Sequence, residues 1–152
     1  MEPVLGMSLG TSDWLTITQE RIDMFATATG DHNWIHVDRD RAARESPFGA
    51  TIAHGFLSLS LIPALKSEIF QYSNVKMLLN YGTDKVRFTA PVRVDSRVRL
   101  ESTLVSAVDA PDGAVRVVAR HTLHVEGQPK PALVADAISR ILFRHNPDNE
   151  KV

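Results

Sequence analysis

Hydrophobic and polar positions along the chain change their period twice, and each change marks an element. From Thr18 the apolar residues Ile22, Phe25 and Ala26 recur at helical spacing, with Thr18 placed to cap the helix. Ile17 and Ile22 occupy the two positions of a hydrophobic staple, and Gly30 is placed to end the helix. Asp38 is positioned to cap a short second helix over 39–44, after which ESPFGATIAHG reads as a loop broken by Pro47 and Gly49. Between Gly55 and Phe70 the apolar residues surround the helix axis instead of lining one stripe, which predicts a helix buried on all sides. Pro63 lies inside that stretch and predicts a kink or a break.

Beyond Tyr72 the period becomes two. Residues 85–88, 92–94 and 97–100 alternate as half-buried strands do. Asp109 to Gly113 is a turn between two such runs, 99–108 and 114–125, and Gly127 to Pro131 is another. Residues 133–143 form a last strand, and 144–152 read as a frayed polar tail. One apolar helix followed by antiparallel strands predicts an α+β fold, a curved antiparallel sheet wrapped around a central buried helix, in one domain over 1–143.

Composition narrows the function classes. With 152 residues, 43% hydrophobic and 23% charged, the chain is an ordinary folded one, and a net charge of -1 leaves no electrostatic footprint for nucleic acid. Absence of cysteine excludes disulfides and thiolate metal sites. The N-terminus shows no basic region followed by an apolar core, and GFLSLSLIPAL is too short to span a bilayer. A cytoplasmic protein without membrane partners is expected.

Candidate chemistry sits in GDHNWIH, residues 30–36, directly after the first helix. Asp31 and His36 are a carboxylate and an imidazole five positions apart, a common pair for proton transfer. Taken alone, Asp31 and Asn33 suit a turn equally well. Asp31, His32 and His36 have spacing that a metal would accept, but no second cluster completes such a site, and metal is not expected. His121 and His124 fall on opposite faces of one strand and form no site. Arg87, Arg93, Arg97 and Arg99 read as a solvated sheet face, or as phosphate ligands.

Gly30, Asp31, Asn33, Ile35, His36 and Ala42, with Ala53-His54-Gly55 opening the apolar helix and Tyr81-Gly82 through Pro91-Val92 downstream, resemble the MaoC-like (R)-specific enoyl-CoA hydratases. Trp34 stands where that family usually has Pro, a departure resembling its NodN-like branch. The resemblance covers most of residues 15–143 and implies the hot-dog fold. It implies reversible hydration of a trans-2-enoyl thioester, with Asp31 and His36 sharing acid–base work on one bound water in an order left open. By the same likeness, Gly55 supplies an N–H to the thioester oxygen, Ser60 lines the site, and Asn33 fixes the catalytic loop. Each has a plainer reading: Gly55 as a helix start, Ser60 as a hydroxyl bonded back to its own helix, His54 as a loop-orienting residue. CoA arrives as part of an acyl-CoA (or acyl-carrier-protein) substrate, so no separate cofactor is implied, and a homodimer is. A hot-dog thioesterase or a non-catalytic thioester-binding subunit are the competing classes. The intact acid–base loop argues against both.

Overall fold

The structure, a computed structural model, describes residues 6–144. Strands β1 (Ser8–Thr11), β2 (Leu15–Thr16), β3 (Val75–Phe88), β4 (Arg97–Asp109), β5 (Val115–Val125) and β6 (Leu133–Phe143) form one antiparallel sheet. Its order is β1-β4-β5-β6-β3, with β2 also pairing β4. Helices α1 (Gln19–Thr29), α2 (Trp34–Val37), α3 (Arg39–Glu45), α4 (Gly55–Ser60) and α5 (Ile62–Ile69) complete the described elements. The tail expected over 144–152 lies, apart from Arg144, outside the described residues.

Local chemistry explains the ends of α1. Thr18 Oγ1 accepts the Arg21 N–H at 3.2 Å, and Gly30 closes the helix at φ 79°, where a side chain would be strained. Ile17 and Ile22, both essentially inaccessible, join one core with Leu57, Leu61, Leu65, Leu100 and Leu123. That core lies between the α4–α5 pair and one face of the sheet.

Several expectations need correction. The apolar helix is two helices, with Leu61 at the junction and Pro63 near the start of α5, where its missing N–H costs least. It is not buried on all sides: Leu57, Ser58, Ile62 and Leu65 face the core, while Phe56 is 67% exposed. Residues 92–94 are not a strand. Pro91 precedes them, Asp95 adopts φ 66°, and their backbone pairs with the loop at 51–53. Residues 85–88 end the long strand β3, which bulges between Asp84 and Arg87 with Lys85 at φ 53°. β1 and β2 were not anticipated, because two to four residues carry too little periodicity to register.

Two polar pairs, one half-exposed and one fully buried, pin the sheet. Asp136, 3% exposed, takes two hydrogen bonds from the Arg120 guanidinium at 2.7 and 2.8 Å, which hold its carboxyl below the usual range. His121 and Ser102, both inaccessible, meet at 2.8 Å through Nδ1 and Oγ. Burial, and then the facing Lys66, push His121 from 6.5 down to about 4.

The unfolded chain therefore takes up a proton near pH 6.5 that the folded chain refuses until about pH 4. Stability should be full above pH 6.5 and fall as pH drops toward 4, by roughly 3 kcal/mol as an upper figure. Urea melts of the parent and of His121→Leu at pH 7 and pH 4.5 check this. The parent should lose markedly more stability between the two conditions than the variant.

Candidate active site

A relay of short side chains shapes residues 31–38. Asp31 Oδ1 accepts the Asn33 N–H at 3.3 Å, and Asn33 Oδ1 accepts the Ile35 N–H at 3.3 Å, capping α2. Asp38 Oδ1 accepts the Arg41 N–H at 2.9 Å and caps α3. The single turn of α2 carries His36, and the Arg41 guanidinium covers the Trp34 ring at 4.3 Å. The loop inferred from GDHNWIH is thus partly helical.

Tertiary contacts then orient the imidazole. Ile52 donates its N–H to the Ile35 carbonyl at 3.1 Å, and its own carbonyl lies 2.7 Å from His36 Nδ1. A carbonyl oxygen only accepts, so Nδ1 carries the hydrogen and neutral His36 presents a bare Nε2. Gln19, 8% exposed, fastens the same turn: its amide N–H groups reach the His36 carbonyl and Asp23, both at 2.8 Å, while its oxygen accepts from Thr51 at 2.6 Å.

His54 is the third member of the cluster. It is 3% exposed, and its Nε2–H donates to the Asp31 carbonyl at 2.9 Å. Its ring stacks on His36 with centroids 3.8 Å apart at 27° and tilts against Phe25 at 4.9 Å. This is a loop-orienting position. Its Nδ1 is buried and has no partner among the described residues.

Asp31, His36 and His54 each bring one polar side-chain atom within 4.8 Å of the others. His54, not His32, completes this group, because the fold folds 54 back onto 31. Stacked, near-parallel imidazoles send their in-plane lone pairs side by side, so they do not converge on one cation, and each ring has one nitrogen already bonded. The arrangement suits a bound water better: two hydrogen bonds of about 2.8 Å span such a gap.

Burial lowers His36 below its ordinary 6.5; the Ile52 bond opposes this, the His54 imidazole adds to it, and the Asp31 carboxylate opposes it. Neutral His36 is the resting form at pH 7.

Gly55 and Ser58 share with His36 the walls of a cavity of about 320 Å³, closed by Phe48 and Phe88 among others. α4 begins without a side-chain cap, leaving its first N–H groups open to a ligand. A Cβ on Gly55 would sit 3.0 Å from the Phe88 ring, so the ring would have to shift by a few tenths of an ångström to admit a side chain here. Ser60 is not brought to this cavity. It is exposed, its hydroxyl donates to the Phe56 carbonyl at 2.7 Å, and it lines a second cavity instead. Ser58, 5% exposed, is the serine beside His36.

From sequence Ser58 reads as structural, and Gln19 draws no reading at all. Gln19 carried no signal, since a polar residue in a first helical turn is ordinarily solvated. Of the arginines, Arg97 and Arg99 flank Trp14 at 5.7 and 4.6 Å, and Arg97 pairs Glu126 at 3.0 Å. Arg87 and Arg93 have no acidic partner among the described residues.

Residues 1–127 match the MaoC like domain. The chain belongs to the MaoC-like dehydratase family. It is a hydro-lyase with the hot-dog fold. A 3-hydroxyacyl-thioester dehydratase Z of Mycobacterium tuberculosis is 53% identical over 89% of each chain. Nodulation protein N of Rhizobium leguminosarum is 46% identical over 93% of this chain and 89% of its own. The solved R-hydratase of Pseudomonas aeruginosa superposes with a TM-score of 0.66 at 26% identity, over 95% of this MaoC-like chain and 84% of the other.

A reaction that draws on bare Nε2 slows as His36 gains a proton, so the acid limb of kcat/KM should have its midpoint below pH 6.5. His54→Phe keeps a ring in the stack but removes the imidazole that depresses His36 and the donor to Asp31. The midpoint should move up toward 6.5 and kcat should fall about tenfold, the value of one lost buried hydrogen bond. An unmoved midpoint would separate His54 from His36.

Proposed function

We propose that this protein is an (R)-specific enoyl-CoA hydratase, catalysing reversible hydration of trans-2-enoyl-CoA to (R)-3-hydroxyacyl-CoA. The observation that carries the proposal is the pairing of Asp31 with His36, one polar side-chain atom of each within 4.8 Å, where the Ile52 carbonyl ties up Nδ1 and leaves Nε2 bare and where His36 lines one cavity with Gly55. The likeness to a named thioester dehydratase and a named R-hydratase supports the same substrate class.

Water donates one hydrogen to Asp31 and one to His36 Nε2, which aims its lone pair at the β-carbon. As the C–O bond forms, the C=C pair moves through the α-carbon to the thioester oxygen, and His36 takes the proton. Asp31 steadies the resulting imidazolium, in keeping with its upward pull on His36. The Gly55 N–H donates to the enolate oxygen, a contribution of about 3 kcal/mol in comparable oxyanion sites. Because α4 has only six residues, the N–H itself matters more than the helix dipole. Return of the proton from His36 to the α-carbon completes addition of water. Asn33 holds the Asp31 carboxylate through its backbone N–H. CoA enters with the substrate, so no separate cofactor takes part. Arginine forks suit its phosphates. Arg87 and Arg93, which bracket in sequence the cavity-lining segment 88–92 and have no acidic partner among the described residues, are the first candidates.

A homodimer belongs to the proposal. β3 is a 14-residue edge strand carrying Met77, Leu78, Leu79 and Tyr81 at 42–63% exposure, and Phe56 and Phe88 are exposed nearby. Unpaired apolar edges invite a second copy.

Asp31→Asn should keep the fold and lower crotonyl-CoA hydration by about a hundredfold or more, read as loss of enoyl-thioester absorbance with chiral analysis of the product. Parental rates in the variant, or release of free CoA thiol by the parent, would sink the hydratase reading. Sedimentation of the parent should give a dimer, and Leu79→Glu should shift it toward monomer.

A further inference from the structure

A second cavity, of about 260 Å³, lies between the α4–α5 pair and strands β3, β5 and β6. It begins at Leu59 and Ser60, about one helical turn (~6 Å) beyond Gly55, and extends across the α4–α5 junction past Pro63 to Lys66. An acyl chain on a thioester held at Gly55 would enter it by passing from Ser58 to Leu59 along α4. Its walls are not those of a simple hydrocarbon slot.

His121 lines it and is 1% exposed. Ser102 occupies its Nδ1 at 2.8 Å, and no described residue bonds its Nε2, the nitrogen left for the cavity. Lys66 lines the same space, with no carboxylate within ion-pair range among the described residues. Asp136, the acid nearest in effect to His121, is committed to Arg120 and Lys85. Ser139, Thr83 and Asn80 add further donors. A methyl-ended chain would seal a buried imidazole nitrogen away from water with nothing to bond, and would leave the half-buried ammonium only the Phe70 and Tyr72 rings, each 5.8 Å from Nζ, which is costly. A carboxylate would supply the missing counter-charge to Lys66 and accept from it, and would accept from the His121 imidazole when that ring carries a hydrogen on Nε2.

We infer that this cavity, with His121 and Lys66 at its polar end, selects acyl thioesters whose chain terminates in a carboxylate. The assignment rests on the hydratase reading for its thioester, but the cavity's preference is measurable without it. The facing charges agree with the occupant: Lys66 repels protonation of His121 now, and a carboxylate between them would reverse that.

The test compares kcat/KM for trans-2-decenedioyl-CoA and trans-2-decenoyl-CoA, in the parent and in Lys66→Met. The parent should favour the carboxylate-ended chain by about tenfold, the effect of one charge-assisted contact. Lys66→Met should bring the two chains to near equality. A parental preference for the methyl-ended chain, or equality, would overturn the assignment. Separately, the His121 imidazole signals are followed by NMR across pH with hexanoate or hexanol present. Hexanoate should raise the midpoint from about 4, and hexanol should leave it in place; equal effects would overturn the assignment. If crotonyl-CoA is not hydrated while hexanoate moves His121 and Lys66→Met abolishes the shift, the hydratase reading fails and the cavity assignment stands.

Discussion

The 2.7 Å contact between His36 Nδ1 and the Ile52 carbonyl decides what the cluster can do. It sets the tautomer, so the lone pair rather than the hydrogen is presented at Nε2. It also couples two segments that are far apart in sequence, because Ile52 simultaneously donates to the Ile35 carbonyl. Gln19 adds a clamp from α1 onto the same turn. A four-residue helix has little stability of its own, since nucleation is unfavourable and one turn returns few hydrogen bonds. α2 persists because caps hold its ends and neighbouring elements hold its backbone.

The same economy explains His54. A buried imidazole with one unbonded nitrogen is unfavourable taken alone. Here the ring fills the space between Phe25 and His36 while its other nitrogen anchors the Asp31 carbonyl. Removing the polar ring would release the backbone that aims the carboxylate. The cost at Nδ1 is tolerated for position at Asp31.

Two histidines in this fold are held neutral by burial and serve different ends. His36 is only partly buried, keeps a carboxylate beside it and has a nitrogen open to a cavity, so its charge can change during a reaction. His121 is inaccessible, faces a lysine and has a serine on Nδ1, so at neutral pH it stays uncharged unless an anion joins it. Between them runs the α4–α5 pair, covered by the sheet on one side and leaving Phe56 uncovered on the other. The uncovered face is mixed, with Phe56, Pro63 and Ala64 beside Ser60, Ser67 and Glu68, so the apolar surface left open gathers at Phe56 and Phe88 and along the β3 edge.

What the sequence determined by itself is what short-range rules govern. Period two located β4, β5 and β6, with the last strand at its observed bounds, and Thr18, Gly30 and Asp38 marked helix ends because capping is a local bond. GDHNWIH and AHG carried the family, and with it Asp31, His36, Asn33 and Gly55 as candidates. Tertiary structure alone decided the rest. Which nitrogen of His36 is bare depends on a carbonyl sixteen positions away, and the partnership of His54 with Asp31 on a return of the chain over twenty-three. Ser58 rather than Ser60 shares a cavity with His36 because the packing of α4 on the sheet turns Ser58 inward and Ser60 outward. His121 looked isolated in sequence, since its partners Ser102 and Lys66 come from another strand and a helix. Hydrogen bonds between distant segments leave no periodic trace in a chain, and only closure of the sheet over the helix brings them together.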